Sequence, residues 1–126
     1  MAPIDIAGLR ADLQELRPWI VEPSMARPPR ALVARAVRVS ARLLAQDAPG
    51  HSVEVRIPPF VAVQCIEGPS HTRGTPPNVV ETDPHTWLGL VLGEVALWQE
   101  SGRAHPQIQL SGTRAGEIGA FLPLIR

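Results

Sequence analysis

Three proline pairs, Pro28–Pro29, Pro58–Pro59 and Pro76–Pro77, constrain most strongly what this chain of 126 residues can fold into. Proline lacks a backbone N–H and fixes φ, so no long helix and no central strand crosses such a pair. The 14 prolines amount to about twice the average usage. The pairs therefore divide the chain into short segments, each of which forms its own helix, strand or loop.

The overall composition predicts a globular, cytoplasmic protein of one domain. With 44% hydrophobic and 19% charged residues, the chain has enough apolar side chains for one core. Twelve basic and twelve acidic residues balance, and the aromatic content is 4%, so we predict no nucleic-acid partner. A single cysteine, Cys65, excludes an internal disulfide and favours a reducing compartment. No apolar run approaches the ~20 residues of a transmembrane segment, and the first residues lack the apolar core of a signal peptide.

Helical periodicity marks two segments in the first third of the chain. Apolar residues from Ile6 onward predict a helix from about Asp5 to Arg17, which Pro18 ends or kinks. The clearest helix is predicted from Arg30 to Gln46, with its arginines mostly opposite the apolar stripe. That arginine face suits anionic lipid or an acidic partner, although such faces are more often simply solvated.

Four segments have the pattern of strands. Ser52 to Ile57 alternates apolar and polar residues, which predicts a half-buried strand. Phe60 to Ile66 is more uniformly apolar, so we predict that it pairs with the first strand as an antiparallel hairpin and lies nearer the centre of the sheet. Asn78 to Thr82 and Gln107 to Ser111 are predicted as two further short strands.

The remaining patterns predict helices and complete the fold class. Asp83 and Pro84 supply a cap and a first helical residue, Val95 to Glu100 reads as a short helix, and Arg114 to Phe121 as the last one. Helices and short strands in this order predict an α+β fold, a mainly antiparallel sheet covered by helices. We predict one domain over residues 1–126, with an N-terminal helix and proline-rich link in 1–29 and the core in 30–126.

The segment from Gly68 to Trp87, GPSHTRGTPPNVVETDPHTW, is the most polar long connection in the chain. Connections of this length without regular structure are uncommon in compact domains and are usually functional. The segment therefore holds the first candidates for polar ligand contacts, which are His71, Arg73, Asn78 and Glu81.

The sequence VEVRIPPFVAVQCIEGPSHTRGTPPNVVETDPHTWLGLVLGE, with SGTRAGEIGAFLPLI near its end, resembles the small actinobacterial branch of the sterol carrier protein superfamily. The HTRGTPPNVVETDP block is the specific part of this resemblance, which covers roughly Ser52 to Ile125. It implies a five-stranded sheet covered by helices, with an apolar tunnel for acyl chains or sterols. Related domains also occur as modules of larger enzymes, where they need not carry lipid, so the resemblance implies the fold more firmly than the cargo.

Catalytic and metal sites are disfavoured by the residue patterns. Metal ligands drawn from Cys65, His71, Glu81, Asp83 and His85 lack a recognised ligand spacing, so no metal and no cofactor is predicted. A thiol in an apolar strand is typically a packing group rather than a nucleophile. Phosphate binding through Arg73 lacks a phosphate-loop motif. We predict a protein that is not an enzyme.

The leading hypothesis is carriage of a fatty acid, acyl-CoA or sterol-like lipid in a cavity between sheet and helices. Its polar head would meet His71, Arg73, Asn78 and Glu81. The predicted apolar lining is Val55, Ile57, Val61, Val63, Trp87, Leu88, Val91, Leu92, Trp98 and Phe121. The alternatives are an interaction module with a filled core, which includes a homodimer, and a small enzyme that uses His71, Arg73, Asn78, Glu81 and His85.

Overall fold

The structure is a computed structural model that describes residues 3–68 and 77–126. The described residues form three α-helices, four strands and one 3-10 helix, which confirms the predicted α+β fold with two N-terminal helices. In chain order these are α1 (Ile6–Val21), α2 (Arg30–Asp47), β1 (Val53–Ile57), β2 (Val61–Cys65), β3 (Val79–Thr82), α3 (Pro84–Leu92), β4 (Ile108–Ser111) and the 3-10 helix (Ala115–Phe121).

The four strands form one mixed sheet in the order β2-β1-β3-β4. β1 pairs antiparallel with β2 and parallel with β3, and β4 runs antiparallel to β3. Val53, Val55 and Ile57 are fully buried, while Glu54 and Arg56 between them lie on the outer face. The alternation predicted for β1 therefore holds because helices cover one face of the sheet and solvent covers the other.

The position predicted for β2 is wrong. The alternating strand β1 lies between two neighbours, whereas β2 is the outermost strand on one side of the sheet that the described residues form. Ala62 and Gln64 of β2 are exposed, and its other residues face α2. The apolar composition of β2 reflects this packing against α2 rather than a central position.

Helix α1 continues past Pro18 to Val21, so Pro18 does not end it and the helix is longer than the predicted range to about Arg17. Asp5 caps the helix as predicted, because its carboxylate accepts a hydrogen bond from the backbone N–H of Gly8 at 2.8 Å. Leu16 and Ile20, on either side of Pro18, are both buried in the core. We infer that this apolar contact outweighs the ~3 kcal/mol that a proline typically costs inside a helix.

The segment from Val95 to Glu100 is not the helix that its sequence predicts. Gly93 ends α3 in the left-handed conformation, with φ 79°. The chain then folds back on itself, since the N–H of His105 donates to the carbonyl of Leu97 at 2.8 Å and Trp98 bridges to Ala104. Leu97 thereby enters the core, and Trp98 is left 48% exposed at the surface.

The last helix is a 3-10 helix rather than an α-helix, and two of its glycines face the folded-back segment. Gly116 and Gly119 are three residues apart, so they lie on the same side of a helix with three residues per turn. A Cβ atom on Gly116 would lie 2.5 Å from Cζ2 of Trp98, and one on Gly119 would lie 3.2 Å from Cδ2 of Leu97. The glycines thus allow this helix to contact the folded-back segment closely.

Candidate functional site

A groove of about 890 Å³ opens beside the core, where several elements end. It lies between the C-terminal end of α2, the residues after β2, the segment after α3, and the 3-10 helix. Its floor and walls are mainly apolar and include Ile66, Leu90, Leu97, Trp98, Phe121 and Leu122. Its volume is within the range of small-molecule sites, which is about 300–1,000 Å³.

The backbone at the floor of the groove adopts an unusual conformation. Ile66 has φ 71°, which is rare for a β-branched residue. Its N–H donates to the carbonyl of Ala48 at 2.7 Å, and a Cβ atom on Gly50 would collide with its carbonyl group. This geometry joins the end of α2 to the end of β2. Strained residues of this kind are concentrated at functional sites, which favours the floor of the groove as a ligand contact.

Trp98 forms one wall of the groove together with the 3-10 helix. Its indole contacts Gly116, and Phe121 lies at the end of that helix with 36% of its surface exposed. Two large apolar side chains are thus presented at the mouth of a concave surface. Such contiguous apolar exposure is typical of ligand grooves and interaction sites.

The polar rim of the groove contains an ion pair between Arg114 and Glu117. Nε of Arg114 donates to Oε2 of Glu117 at 2.8 Å, and Nη2 donates to Oε1 at 3.1 Å. This hydrogen bonding lowers the pKa of Glu117, so its carboxylate stays ionised. Nη2 of Arg114 also donates to the carbonyl of Glu67 at 2.8 Å, which connects the 3-10 helix to the end of β2.

The predicted apolar lining is divided between the core and the surface. Trp98 and Phe121 lie on the groove. Five others have 0% exposure and form the core between sheet and helices; these are Val55, Ile57, Trp87, Leu88 and Val91. Val61, Val63 and Leu92 are partly buried against that core. The structure therefore brings two of the ten residues to the groove, and a ligand contact by the others stays a prediction.

The predicted polar residues also have separate surroundings. His71 and Arg73 lie outside the described residues. Asn78 is buried, where its Nδ2 donates to the carbonyl of Ser52 at 2.9 Å and its Oδ1 accepts from the N–H of Arg114 at 2.9 Å. Asn78 therefore has a structural role, since it joins the start of β3 to the turn before the 3-10 helix.

Glu81 and His85 do not share a site with Asn78. Glu81 lies on the outer face of the sheet, in register with Arg56 on β1 and Gln109 on β4. His85 is in the first turn of α3, where its ring packs edge-on against Trp19 with a centroid distance of 4.7 Å. A catalytic cluster of these residues gains no support from their positions.

Residues 29–124 match a protein family described as the bacterial SCP ortholog, where SCP stands for sterol carrier protein. The chain belongs to this family. The match covers α2 and all the elements that follow it, including every part of the groove. A comparison with curated proteins gives no match.

The described part of this sterol-carrier-like chain shows neither a grouped set of metal ligands nor a membrane-spanning helix. In residues 3–68 and 77–126, no three His, Cys, Asp or Glu side chains are grouped closely enough to hold a metal ion. Among the same residues, no helix is both long and apolar enough to cross a bilayer.

Cys65 is expected to be unreactive in the folded protein. The residue has 0% exposure, and burial raises the pKa of its thiol from 9.0 to about 11. At a pH below 9, two pKa units reduce the reactive thiolate about a hundredfold, and burial blocks access further. We expect a thiol reagent to modify native protein at least about a hundredfold more slowly than urea-unfolded protein at about pH 8.

The raised pKa of Cys65 also contributes to the dependence of stability on pH. Above pH 9 the unfolded thiol ionises while the folded thiol stays protonated, so the free energy of unfolding should fall as the pH rises from 9 towards 11. Cys65→Ala is the control, since it lacks this component of the fall. In the thiol-modification experiment, equal reaction rates for folded and urea-unfolded protein would contradict the buried position of Cys65.

Proposed function

We propose that this protein is a non-enzymatic carrier that binds an apolar or amphipathic small molecule, such as a fatty acid, acyl-CoA or sterol-like lipid. The observation that supports this most directly is the groove of about 890 Å³ with a mainly apolar lining. Membership of the bacterial sterol carrier protein family supports the same proposal. Burial of hydrocarbon in the groove would contribute ~0.8 kcal/mol for each CH₂ group.

The ligand is proposed to lie in a different place from the one that the sequence predicted. The sequence predicted a cavity between sheet and helices, but the residues there pack a closed core around Trp87. We propose that the acyl chain lies beside this core, against Ile66, Leu97 and Trp98, and that it is partly open to solvent. A contribution from His71 and Arg73 to the head group remains part of the proposal, as does a cytoplasmic location.

Binding can be tested with the uncharged fluorescent probe N-phenyl-1-naphthylamine. We expect saturable binding to the unmodified protein. Ala96 is exposed on the groove, so Ala96→Trp fills the groove without disturbing the core. Loss of apolar contact equivalent to only two CH₂ groups removes ~1.6 kcal/mol, so the dissociation constant for the probe should rise by roughly tenfold or more.

The matched control is Ala62→Trp, which adds the same side chain to an exposed position of β2 outside the groove lining. We expect this variant to bind the probe like the unmodified protein. Equal weakening by both variants, or no saturable binding by any of them, would rule out the groove as a carrier site.

The exposure of Trp98 and Phe121 favours a second candidate function, an interaction module that forms a homodimer through this face. Native mass spectrometry of freshly purified protein separates the two functions. A monomer with a bound small molecule supports the carrier. A ligand-free dimer that Trp98→Gln dissociates supports the interaction module.

A further inference from the structure

The end of the molecule where α1 stops and α2 begins carries arginines that no carboxylate neutralises. Arg27 lies in the link before α2, and Arg30 and Arg38 lie on the exposed side of α2. None of the three forms an ion pair among the described residues. The rest of the sequence, residues 1–2 and 69–76, contains no Asp or Glu that could supply a partner. These positive charges are therefore exposed without a counter-charge from the chain.

Phe60, in the turn between β1 and β2, holds two of these arginines close to one another. The guanidinium carbon of Arg30 lies 4.9 Å from the centre of the Phe60 ring, and that of Arg38 lies 5.7 Å from it. Nε of Arg38 also donates to the carbonyl of Phe60 at 3.4 Å. A ring attracts cations but carries no net charge, so these contacts order the guanidinium groups without neutralising them. A negatively charged partner would therefore find two cations already in position.

Exposed apolar side chains lie at the same end of the molecule. Val21, the last residue of α1, is 54% exposed, and Met25 in the link is 50% exposed. The one carboxylate of the link, on Glu22, accepts a hydrogen bond from the hydroxyl of Ser24 at 2.8 Å and forms no ion pair with these arginines. Basic and apolar side chains exposed together are typical of surfaces that bind at the interface of an anionic membrane. We call this surface the basic end; it consists of Val21, Met25, Arg27, Arg30 and Arg38.

The basic end is separate from the groove. The groove contacts α2 at its last residue, Asp47, whereas Arg30 is its first residue. A helix of 18 residues is roughly 27 Å long. No residue of the basic end lines the groove. A partner bound at the basic end would therefore leave the groove open.

We propose that the basic end is a docking surface for an anionic membrane. Its arginines contact the phosphates of the lipid head groups, while Val21 and Met25 enter the interface. The exposed apolar side chains favour a lipid surface over a partner that is only acidic. Docking is reversible, because three cations and two apolar side chains are fewer contacts than permanent attachment requires. This inference goes beyond the proposed function, since it concerns a surface that the carried ligand does not touch.

The test measures how much protein sediments with lipid vesicles. At low salt we expect binding to vesicles made of equal parts phosphatidylcholine and phosphatidylglycerol, and much weaker binding to phosphatidylcholine alone. Added salt should weaken the binding, because it screens exposed charges. Arg30→Gln or Arg38→Gln should each lower the partition coefficient roughly fivefold. Arg30→Lys keeps the charge and should bind like the unmodified protein.

Two further variants separate the charge of this surface from general charge and from apolar contact. Arg103→Gln is the matched control, because Arg103 is an exposed arginine without an ion pair among the described residues and lies on the folded-back segment near Trp98. It should leave vesicle binding unchanged. Met25→Gln should weaken binding roughly threefold, since it removes an apolar side chain from the interface. Circular dichroism checks that each variant is folded.

The remaining outcomes overturn the inference, and each identifies a different reason. Equal weakening by Arg30→Gln and Arg103→Gln would show that binding follows net charge rather than this surface. Loss of vesicle binding in Trp98→Gln would assign the membrane contact to the groove. Binding to poly-L-glutamate without binding to vesicles would assign the basic end to an acidic protein partner. Binding of N-phenyl-1-naphthylamine is measured separately, so the carrier function stands or fails independently of these results.

Discussion

Replacing Gly112 with alanine is expected to lower the free energy of unfolding by about 3 kcal/mol. Gly112 has φ 89°, in the left-handed region that side chains disfavour. A Cβ atom there would collide with the carbonyl oxygen of Pro77 and would lie 2.9 Å from Cα of Asn78. Both are backbone atoms at the start of β3, where Ser111 pairs with Val79, so relief of the collision requires the two strands to separate.

Gly102 provides the matched control for Gly112. It has a similar φ of 85°, but no atom lies within 4 Å of its Cβ position. Gly102→Ala should therefore lose only about 1 kcal/mol, from the backbone conformation alone. Urea denaturation followed by circular dichroism measures both variants, with an unchanged dependence on urea concentration. Equal losses in the two variants would show that Gly112 does not approach β3 as closely as described.

The parts of the fold that the sequence predicted correctly are those in which a local repeat controls burial. Val53, Val55 and Ile57 alternate with polar residues because one face of β1 packs under helices, and the alternation shows this directly. Helix α2 was predicted within one residue at its C-terminal end, since its apolar residues keep a helical period over 18 residues. In both β1 and α2, the neighbouring elements pack against one continuous face. The period of apolar residues along the sequence therefore shows which residues are buried.

The incorrect predictions arose where distant contacts override local pattern. Val95 to Glu100 has the composition of a helix, but Leu97 pairs with His105 after the chain reverses. That pairing depends on Gly102, which the chain needs for the turn, and on the 3-10 helix that packs against Trp98. No periodicity within six residues indicates a partner of this kind.

The candidate site was harder to predict than the fold. Trp98 and Phe121 were identified as apolar candidates, but Ile66, Glu67 and Arg114 were not. These residues lie where strands and helices end, and repeats describe the interior of an element rather than its ends. One signal was present in the sequence: Gly116 and Gly119 are spaced so that a helix with three residues per turn presents a flat side to a large side chain such as Trp98.

Replacing Trp87 with alanine is expected to lower the free energy of unfolding by about 3–5 kcal/mol. Trp87 has 0% exposure and is the largest fully buried side chain among the described residues. Its Nε1 donates to Oγ of Ser40 at 2.8 Å, and that hydroxyl donates to the carbonyl of Ala36 at 2.6 Å. Trp98→Ala is the control, since its side chain is 48% exposed and should cost clearly less.

The hydrogen bond can be separated from the packing of Trp87 by a double-mutant cycle. Ser40→Ala leaves the indole N–H buried without an acceptor, which should cost about 1–3 kcal/mol. In the Trp87→Phe background no N–H remains, so the same Ser40→Ala change should cost clearly less. A loss that is equal in both backgrounds would show that Ser40 stabilises α2 through its contacts with the carbonyls of Ala36 and Val37 rather than through Trp87. The closed core around Trp87, beside which the proposed ligand groove lies, would then be held by apolar packing without this polar contact.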